Sequence, residues 1–347
     1  MHQRLIAACV AAPLVLILAV LALAVPLPFA SYSPGPTFDI LGRDPSGAEV
    51  VQVAGHRAYY QDNQGEIRFT TVISSGDGEK LSLAEGLARW FDDHDAVLPY
   101  DYVHPPQTGP LNEKQQGAVE MITSQDEAKA AALRELGYKV PARLQVANIE
   151  RGTPASGKLE VRDILLAVDG KPIKAVDTLS NAIAKIGPHP LTLTIERDQR
   201  RMKVRITPEM QQGTPRIGIV QGIGYEFPFE IQLHVDPSVG GPSAGLMFSL
   251  AIYDTLTPGA LTGGAIVAGT GELAPNGAVG PIGGIAQKIA AADAAHAKLF
   301  FVPKGNCPDV AGLHPDGMRL VEATSVHEAR TTLQKWASNH DAALPTC

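Results

Sequence analysis

Between Leu5 and Val25 the chain carries no charged residue, and that gap constrains the fold more than any other feature. The segment LIAACVAAPLVLILAVLALAV is 21 apolar residues. Away from water a backbone must satisfy its own N–H and C=O groups, and a lone segment does so only as a helix. At 1.5 Å per residue that helix is about 31 Å long, the thickness of a bilayer core. His2, Arg4 and the α-amine precede it, and the first charge after it is Asp39. The positive-inside rule then puts the N-terminus in the cytoplasm and the rest outside. We expect residues 1–30 to form a single-pass anchor in the cell membrane, with an extracytoplasmic catalytic domain. A cleaved signal peptide is the alternative, since Ala22-Leu23-Ala24 has the small-x-small form. The run is long for that reading, and Pro26 just past the cut would hinder cleavage. A buried core helix fits poorly, because the segment has no polar face.

The rest of the chain has a different composition. Of 347 residues, 36 are Asp or Glu and 29 are Lys or Arg, a net charge of −7 with no basic run. Nucleic acid is therefore not an expected partner, since phosphate neutralisation needs clustered Lys and Arg. An apolar share of 45% supports sizeable cores, and the length suits about two domains beyond the first segment. Cys9 lies inside the apolar run, leaving Cys307 and Cys347 for the exported part. An exported chain most simply pairs them, with two free thiols as the alternative.

Residues 31–125 open with the Pro/Gly-rich SYSPGPTFDILG. The pattern predicts a strand over 64–73 (QGEIRFTTVI) and an amphipathic helix over 82–92 carrying Leu83, Leu87 and Phe91. No chemistry shows in this α/β region, and its expected role is structural. Residues 126–208 pass through an Ala-rich helix, Leu136-Gly137-Tyr138, short strands, a helix near 178–186 and the strand LTLTIE. This order resembles a PDZ domain. Val161-Arg162-Asp163-Ile164-Leu165 and Val168-Asp169-Gly170 stand where that family has Gly-Asp-x-Ile and Val-Asn-Gly, with Arg162 in place of the usual glycine. The resemblance implies capture of C-terminal peptide tails by strand addition, with Leu136, Gly137 and Tyr138 as the carboxylate loop. A spacer of the same fold is the alternative. Gly152 to Leu159 (GTPASGKL) mimics a phosphate loop but ends in Leu, which has no hydroxyl for Mg²⁺, so no nucleotide site is expected.

From residue 209 the chain turns rich in Gly, Ala and small apolar residues. Gly240-Gly241-Pro242-Ser243-Ala244-Gly245 puts a serine at the head of a helix. Small neighbours let a carbonyl approach the hydroxyl, and backbone N–H groups at a helix start can stabilise an oxyanion. Taken alone, such a serine reads equally as a helix cap. Gly241-x-Ser243-x-Gly245 also spells the α/β-hydrolase elbow, for which His296, His314 and His327 are available. Further on, Lys288 stands in a helix among Ile285, Ile289 and alanines. Burial would lower its pKa and let the neutral amine accept a serine proton. A solvated or snorkelling lysine is the plain alternative.

Four motifs in order resemble the proteolytic domain of Lon peptidases: Gly241-Pro242-Ser243-Ala244-Gly245, Thr270-Gly271-Glu272, Pro281 to Lys288 (PIGGIAQK), and Phe300-Phe301-Val302-Pro303-Lys304. QGEIRFTTVI as an early strand of the same fold, with the PDZ-like segment inserted after it, is the alternative to a separate N-terminal region. The resemblance covers about 209–335. It implies an α+β proteolytic domain at 209–338, followed by a tail at 339–347, within an α/β chain overall. It implies Ser243 as nucleophile, Lys288 as general base and Thr270 as the group that holds the lysine. Backbone N–H groups of Ser243 and of Gly240 or Gly241 are the oxyanion candidates. No Walker pair is present, so the ATPase module of Lon is missing. Gly240 occupies the place where an acid often precedes the nucleophile motif, with Asp236 further back. The combination looks like the membrane-anchored, PDZ-containing Lon-like proteases of Gram-positive bacteria. That implies an ATP-independent serine endopeptidase acting on unfolded or flexible proteins, without metal or other cofactor, and, as in Lon, a homo-oligomer such as a hexamer. The competing functions are a PDZ adaptor whose Lon-like domain is a scaffold, and an α/β-hydrolase esterase.

Overall fold

A computed structural model describes residues 2–60, 65–76, 78–105, 112–174, 176–197, 200–211 and 213–347, with side chains described from Cys9 onward, save Val176. Helix α1 (His2–Ala24) leads into strands β1 (Phe29–Asp39), β2 (Val51–Ala54) and β3 (Glu66–Ser74). Then come α2 (Leu83–Trp90), β4 (Ala96–Pro99), the single turn α3 (Tyr100–Val103) and the long α4 (Glu113–Glu135). Both α2 and α4 start with a capping box, Ser82 with Glu85 and Asn112 with Gln115, which satisfies donors the first turn leaves unpaired. Next are β5 (Ala142–Ile149), β6 (Ile164–Val168), β7 (Lys171–Pro172), α5 (Val176–Ile186), β8 (Leu191–Arg197) and β9 (Arg200–Ile206). The hairpin β10 (Glu209–Gln211) and β11 (Thr214–Arg216) precedes β12 (Ile219–Tyr225) and β13 (Glu230–Leu233). The chain ends with α6 (Gly245–Leu256), β14 (Ile266–Gly269), β15 (Glu272–Leu273), β16 (Val279–Gly280), α7 (Ile285–Ala294), β17 (Leu299–Pro303), β18 (Arg319–Ala323) and α8 (Val326–Ser338).

Two units emerge. The larger is built on a six-stranded sheet in the order β18-β17-β14-β3-β1-β4. From β18 to β3 the strands are parallel, and β1 runs antiparallel to both its neighbours, β3 and β4. Side chains alternate between faces, as the two-residue period of a strand requires. Val267 and Phe301 join the core of α4, α6 and α8, while Ala268, Phe300 and Val302 join Ile285 and Ile289 of α7 on the opposite face. Helix α6 is buried on all sides, which is why its sequence shows no polar stripe. Helix α7 begins at Gly284 in left-handed backbone, φ 68°, where a Cβ would meet Val72 Cγ1 at 2.6 Å. Only glycine brings α7 this close to β3. The smaller unit has the sheet β12-β5-β6-β8-β9, with β7 on β6, closed by α5 over Val146, Leu165, Leu179, Leu193 and Ile206.

This division differs from the expected one at three boundaries. The strands expected in a separate N-terminal region complete the larger sheet: β3 pairs in parallel with β14, Glu66 facing Ile266. Gln64, the first residue of the expected strand, lies outside the described residues. The Ala-rich helix expected to open the second domain is the end of α4, whose Ala128 to Leu133 fill the larger core. The smaller unit extends past residue 208, because β12 pairs with β5 from Ile219 to Tyr225. The smaller unit is thus an insertion in the larger one, and the larger sheet is assembled from segments far apart in sequence.

Among the described residues no helix is long and apolar enough to cross a membrane. The first residues of the expected span, from Leu5 to Ala8, have side chains outside the described set. From Val10 to Leu23 the large apolar side chains of α1 are exposed, Val10 at 65% and Leu23 at 68%. Cys307 and Cys347 form a disulfide with Cα atoms 4.9 Å apart, which fastens the tail beside β18, where Pro345 C=O accepts from Glu322 N–H.

Candidate active site

Ser243 sits in the last turn before α6, on a loop held from several directions. Gly241 has φ 91°, the left-handed region, and its N–H donates to Gly117 C=O of α4 at 3.0 Å. Ser124, also on α4, donates its hydroxyl to Pro242 C=O at 2.9 Å. On the far side Ser243 C=O accepts from Gly271 N–H at 2.7 Å and from the Thr270 hydroxyl at 3.0 Å. The loop therefore presents the Ser243 hydroxyl with its backbone fixed on both flanks.

Two further segments, α7 and the residue after β14, meet the Ser243 loop at this point. Lys288 projects from α7, with Nζ 2.7 Å from Ser243 Oγ and 3.1 Å from Thr270 Oγ1. Thr270 follows β14 and is fully buried, and Lys288 is 2% exposed. Thr270 spends its one hydroxyl proton on Ser243 C=O, so its oxygen is free to accept from the lysine. Burial pushes the Lys288 amine from its ordinary range down to about 7, because a low-dielectric surround disfavours the ammonium. A substantial neutral fraction near pH 7 gives the amine a lone pair to face the serine proton. Among the described residues no carboxylate pairs with this lysine.

A cleft of about 280 Å³ opens at this point, lined by Ser243, Lys288, Phe38, Phe69, Met121 and the β3 residues Thr70 to Ile73. Strand β14 pairs with β3 only from Glu66 to Phe69. Beyond Phe69, no strand among the described residues pairs with that side of β3, and its residues Thr70 to Ile73 line the cleft.

Other candidates fall elsewhere. Gly241 is corrected as an oxyanion donor, since its N–H is already committed to Gly117. Gly240 and Ser243 N–H groups have no partner among the described residues. Leu136, Gly137 and Tyr138 do not form a peptide loop: Gly137, φ 85°, ends α4, with Tyr138 N–H returning to Leu133 C=O. Leu136 and Tyr138 then pack on the larger core, and Tyr138 stands edge-on to Phe229. Asp236 turns its carboxylate onto Ser238 within its own loop. His327 bonds Glu135 at 3.0 Å and His314 is exposed, so the serine's partner is a lysine and not a histidine. Residues 152–158 form turns. No local pattern singles out Ser124, Gly117 or the β3 edge, because their roles depend on contacts across more than a hundred residues. In the smaller unit the outer edge of β12 lies beside α5, where Gln221 Nε2 donates to Ser180 Oγ at 3.3 Å.

Residues 228–335 match the Lon protease (S16) C-terminal proteolytic domain. The chain is 31% identical over 109 residues to Lon protease of Roseiflexus castenholzii, covering 30% of this chain and 13% of that protein. It is 32% identical over 115 residues to Lon protease of Haemophilus influenzae, covering 32% of this chain and 14% of that protein. The chain thus spans less than a sixth of the length of either relative. Among solved structures, the PDZ domain of an SdrC-like protein from Listeria innocua aligns with 23% of this chain and 92% of that chain, at 21% identity and a TM-score of 0.22. The segment that carries Ser243, Thr270 and Lys288 is therefore similar to the C-terminal proteolytic domain of Lon protease, a peptidase domain.

Proposed function

We propose that the protein is a serine endopeptidase with a Ser243–Lys288 dyad that works without ATP. The observation that carries this reading is the 2.7 Å contact between Ser243 Oγ and a buried amine shifted to about 7. In the acylation step the Ser243 proton passes to Lys288 Nζ as Oγ attacks the substrate carbonyl. The N–H groups of Ser243 and Gly240 stabilise the oxyanion. The ammonium then protonates the departing amine, the C–N bond breaks, and a water deprotonated by the same amine hydrolyses the ester. Thr270 keeps the amine on line by accepting one of its hydrogens. An extended peptide adds to the open edge of β3 beyond Phe69, which brings its backbone to Ser243 and favours flexible substrates. The apolar lining of Phe38, Phe69 and Met121 suits an apolar side chain beside the scissile bond.

The smaller unit fits a PDZ-like role in choosing substrates, with the edge of β12 and the flank of α5 as the tail groove. For location the reading is a membrane anchor formed by α1, with the catalytic unit outside the cytoplasm. Its support is the run of large apolar side chains that α1 leaves exposed from Val10 to Leu23. The test is peptide mapping of an unfolded protein digested by the purified chain, with Ser243→Ala as control. Internal cleavages lost in that variant support the reading, and the same fragments from Ser243→Ala refute it. Protease protection of intact cells or spheroplasts tests location separately.

A further inference from the structure

The catalytic steps leave one buried cluster unused. In the middle of α4, Asp126 is 2% and Lys129 4% exposed, joined at 3.1 Å. The smaller unit reaches into this cluster with two side chains. Gln145 of β5 donates its amide to Asp126 Oδ2 at 3.1 Å. Arg162 holds Nη2 2.9 Å from Gln125 Oε1 and 3.4 Å from Asp126 Oδ1. Arg162 does so from left-handed backbone, φ 75°, a conformation natural to glycine and strained for an arginine. The surrounding interface is not packed solid: a cavity of about 660 Å³ lies there, lined by Asp126, Lys129, Gln145, Arg162 and Phe227 among others. The polar clasp spans that gap beside a second contact, Tyr225 of β12, whose hydroxyl donates to Glu127 of α4 at 2.5 Å.

The same helix grips the catalytic loop through Gly117 and Ser124. In a trans peptide the C=O and N–H point in opposite directions. Fixing the Pro242 carbonyl on Ser124 therefore fixes the direction of the Ser243 N–H, the oxyanion donor. Ser124, Gln125 and Asp126 are consecutive, so the clasp between units and the clasp on the loop are held by adjacent residues of one helix.

We propose that Ser124 is a positioning residue for the oxyanion donor and that Arg162, by docking the smaller unit on α4, holds it in register. The two units then act as a coupled pair, and the insertion supports peptide-bond chemistry as well as substrate choice. This rests on the Ser243–Lys288 reading.

The test uses the full chain and a short peptide amide, whose blocked C-terminus removes tail capture from the measurement. Ser124→Ala should lower kcat by about tenfold to a hundredfold, somewhat less than outright loss of an oxyanion donor, with KM within about twofold, and Ser124→Thr should restore most of it. A peptide aldehyde, whose adduct carries an oxyanion, should lose affinity for Ser124→Ala by a similar factor, while the matching alcohol should not. Arg162→Gly relieves backbone strain in the smaller unit, yet should lower the same kcat by at least about threefold, a smaller effect than loss of a donor. Full kcat in Ser124→Ala, or full kcat in Arg162→Gly beside a defective Ser124→Ala, overturns the proposal. Activity surviving in Ser243→Ala overturns the catalytic reading and this one with it, whereas an inactive Ser243→Ala beside a fully active Ser124→Ala overturns this one alone.

Discussion

Among the described residues two lysines are buried in the larger unit, and their surroundings differ. Lys129 lies against Asp126 at 3.1 Å, with Phe227 beneath its ammonium. Burial works against ionising Asp126, but Lys129 and Arg162 more than offset it and hold that carboxyl below its usual range. Burial lowers the Lys129 amine as well, with Asp126 opposing that shift, and the pair serves as structure. Lys288 has hydroxyls for partners and no countercharge among the described residues, so burial alone acts on it and its pKa falls to about 7. Depth is common to both lysines, and what separates them is the partner: a carboxylate at Lys129, two hydroxyls at Lys288.

The largest expected effect tests that contrast on activity. Lys288→Met and Ser243→Ala should each lower kcat/KM by about 10³-fold or more. Lys129→Met should leave the pH dependence of cleavage in place in whatever fraction folds. A Lys129→Met profile displaced as far as that of Thr270→Asp, described below, would break the contrast.

Stability should move in opposite directions. Removing Lys129 leaves Asp126 with less compensation and should cost about 3 kcal/mol. Lys288 binds its proton less tightly when folded, at about 7, than when unfolded, at about 10.5. Between those values the unfolded chain holds the extra proton, so stability should rise with pH across that window. Below pH 7 the full burial penalty remains, and Lys288→Met should raise stability there by roughly 3–5 kcal/mol. Urea melts at pH 6 and pH 9 measure both shifts. Equal losses in the two variants would refute the assignment.

The pH profile sharpens it further. Wild-type kcat/KM should climb as the amine deprotonates and reach half its plateau near pH 7. Supplying the missing countercharge with Thr270→Asp should move that limb up by about 1–3 units. A limb that stays near 7 would mean the lysine does not set it. The smallest effect concerns the tail: Cys347→Ser should cost about 2 kcal/mol and leave kcat unchanged, as measured by thermal unfolding and peptide cleavage.

The chemistry-bearing side chains were legible because each stands in a locally odd setting. Ser243 is flanked by residues with little side chain, and Lys288 interrupts an apolar helix. Cys307 and Cys347 could be singled out by counting. The division into units was less legible. The strand over 64–73 was visible in its alternation, but its partner β14 lies two hundred residues on, and no local pattern reports such a pairing. The segment 136–138 misled for the same reason: Leu-Gly-Tyr suits a carboxylate loop and a helix stop equally, and only packing against Phe229 chose the second.

The sequence by itself determined the apolar helix at the start, the buried helix α6, and the residue types able to perform acyl transfer. Those depend on composition and on periods of a few residues, which are local properties. Tertiary structure decided that Lys288 meets Ser243 and Thr270, that Gly241 is spent on Gly117, and that Arg162 reaches α4. Each of these is a distance between segments far apart in the chain. Such distances are set by how sheet and helices pack, and the pKa of a buried amine depends on them.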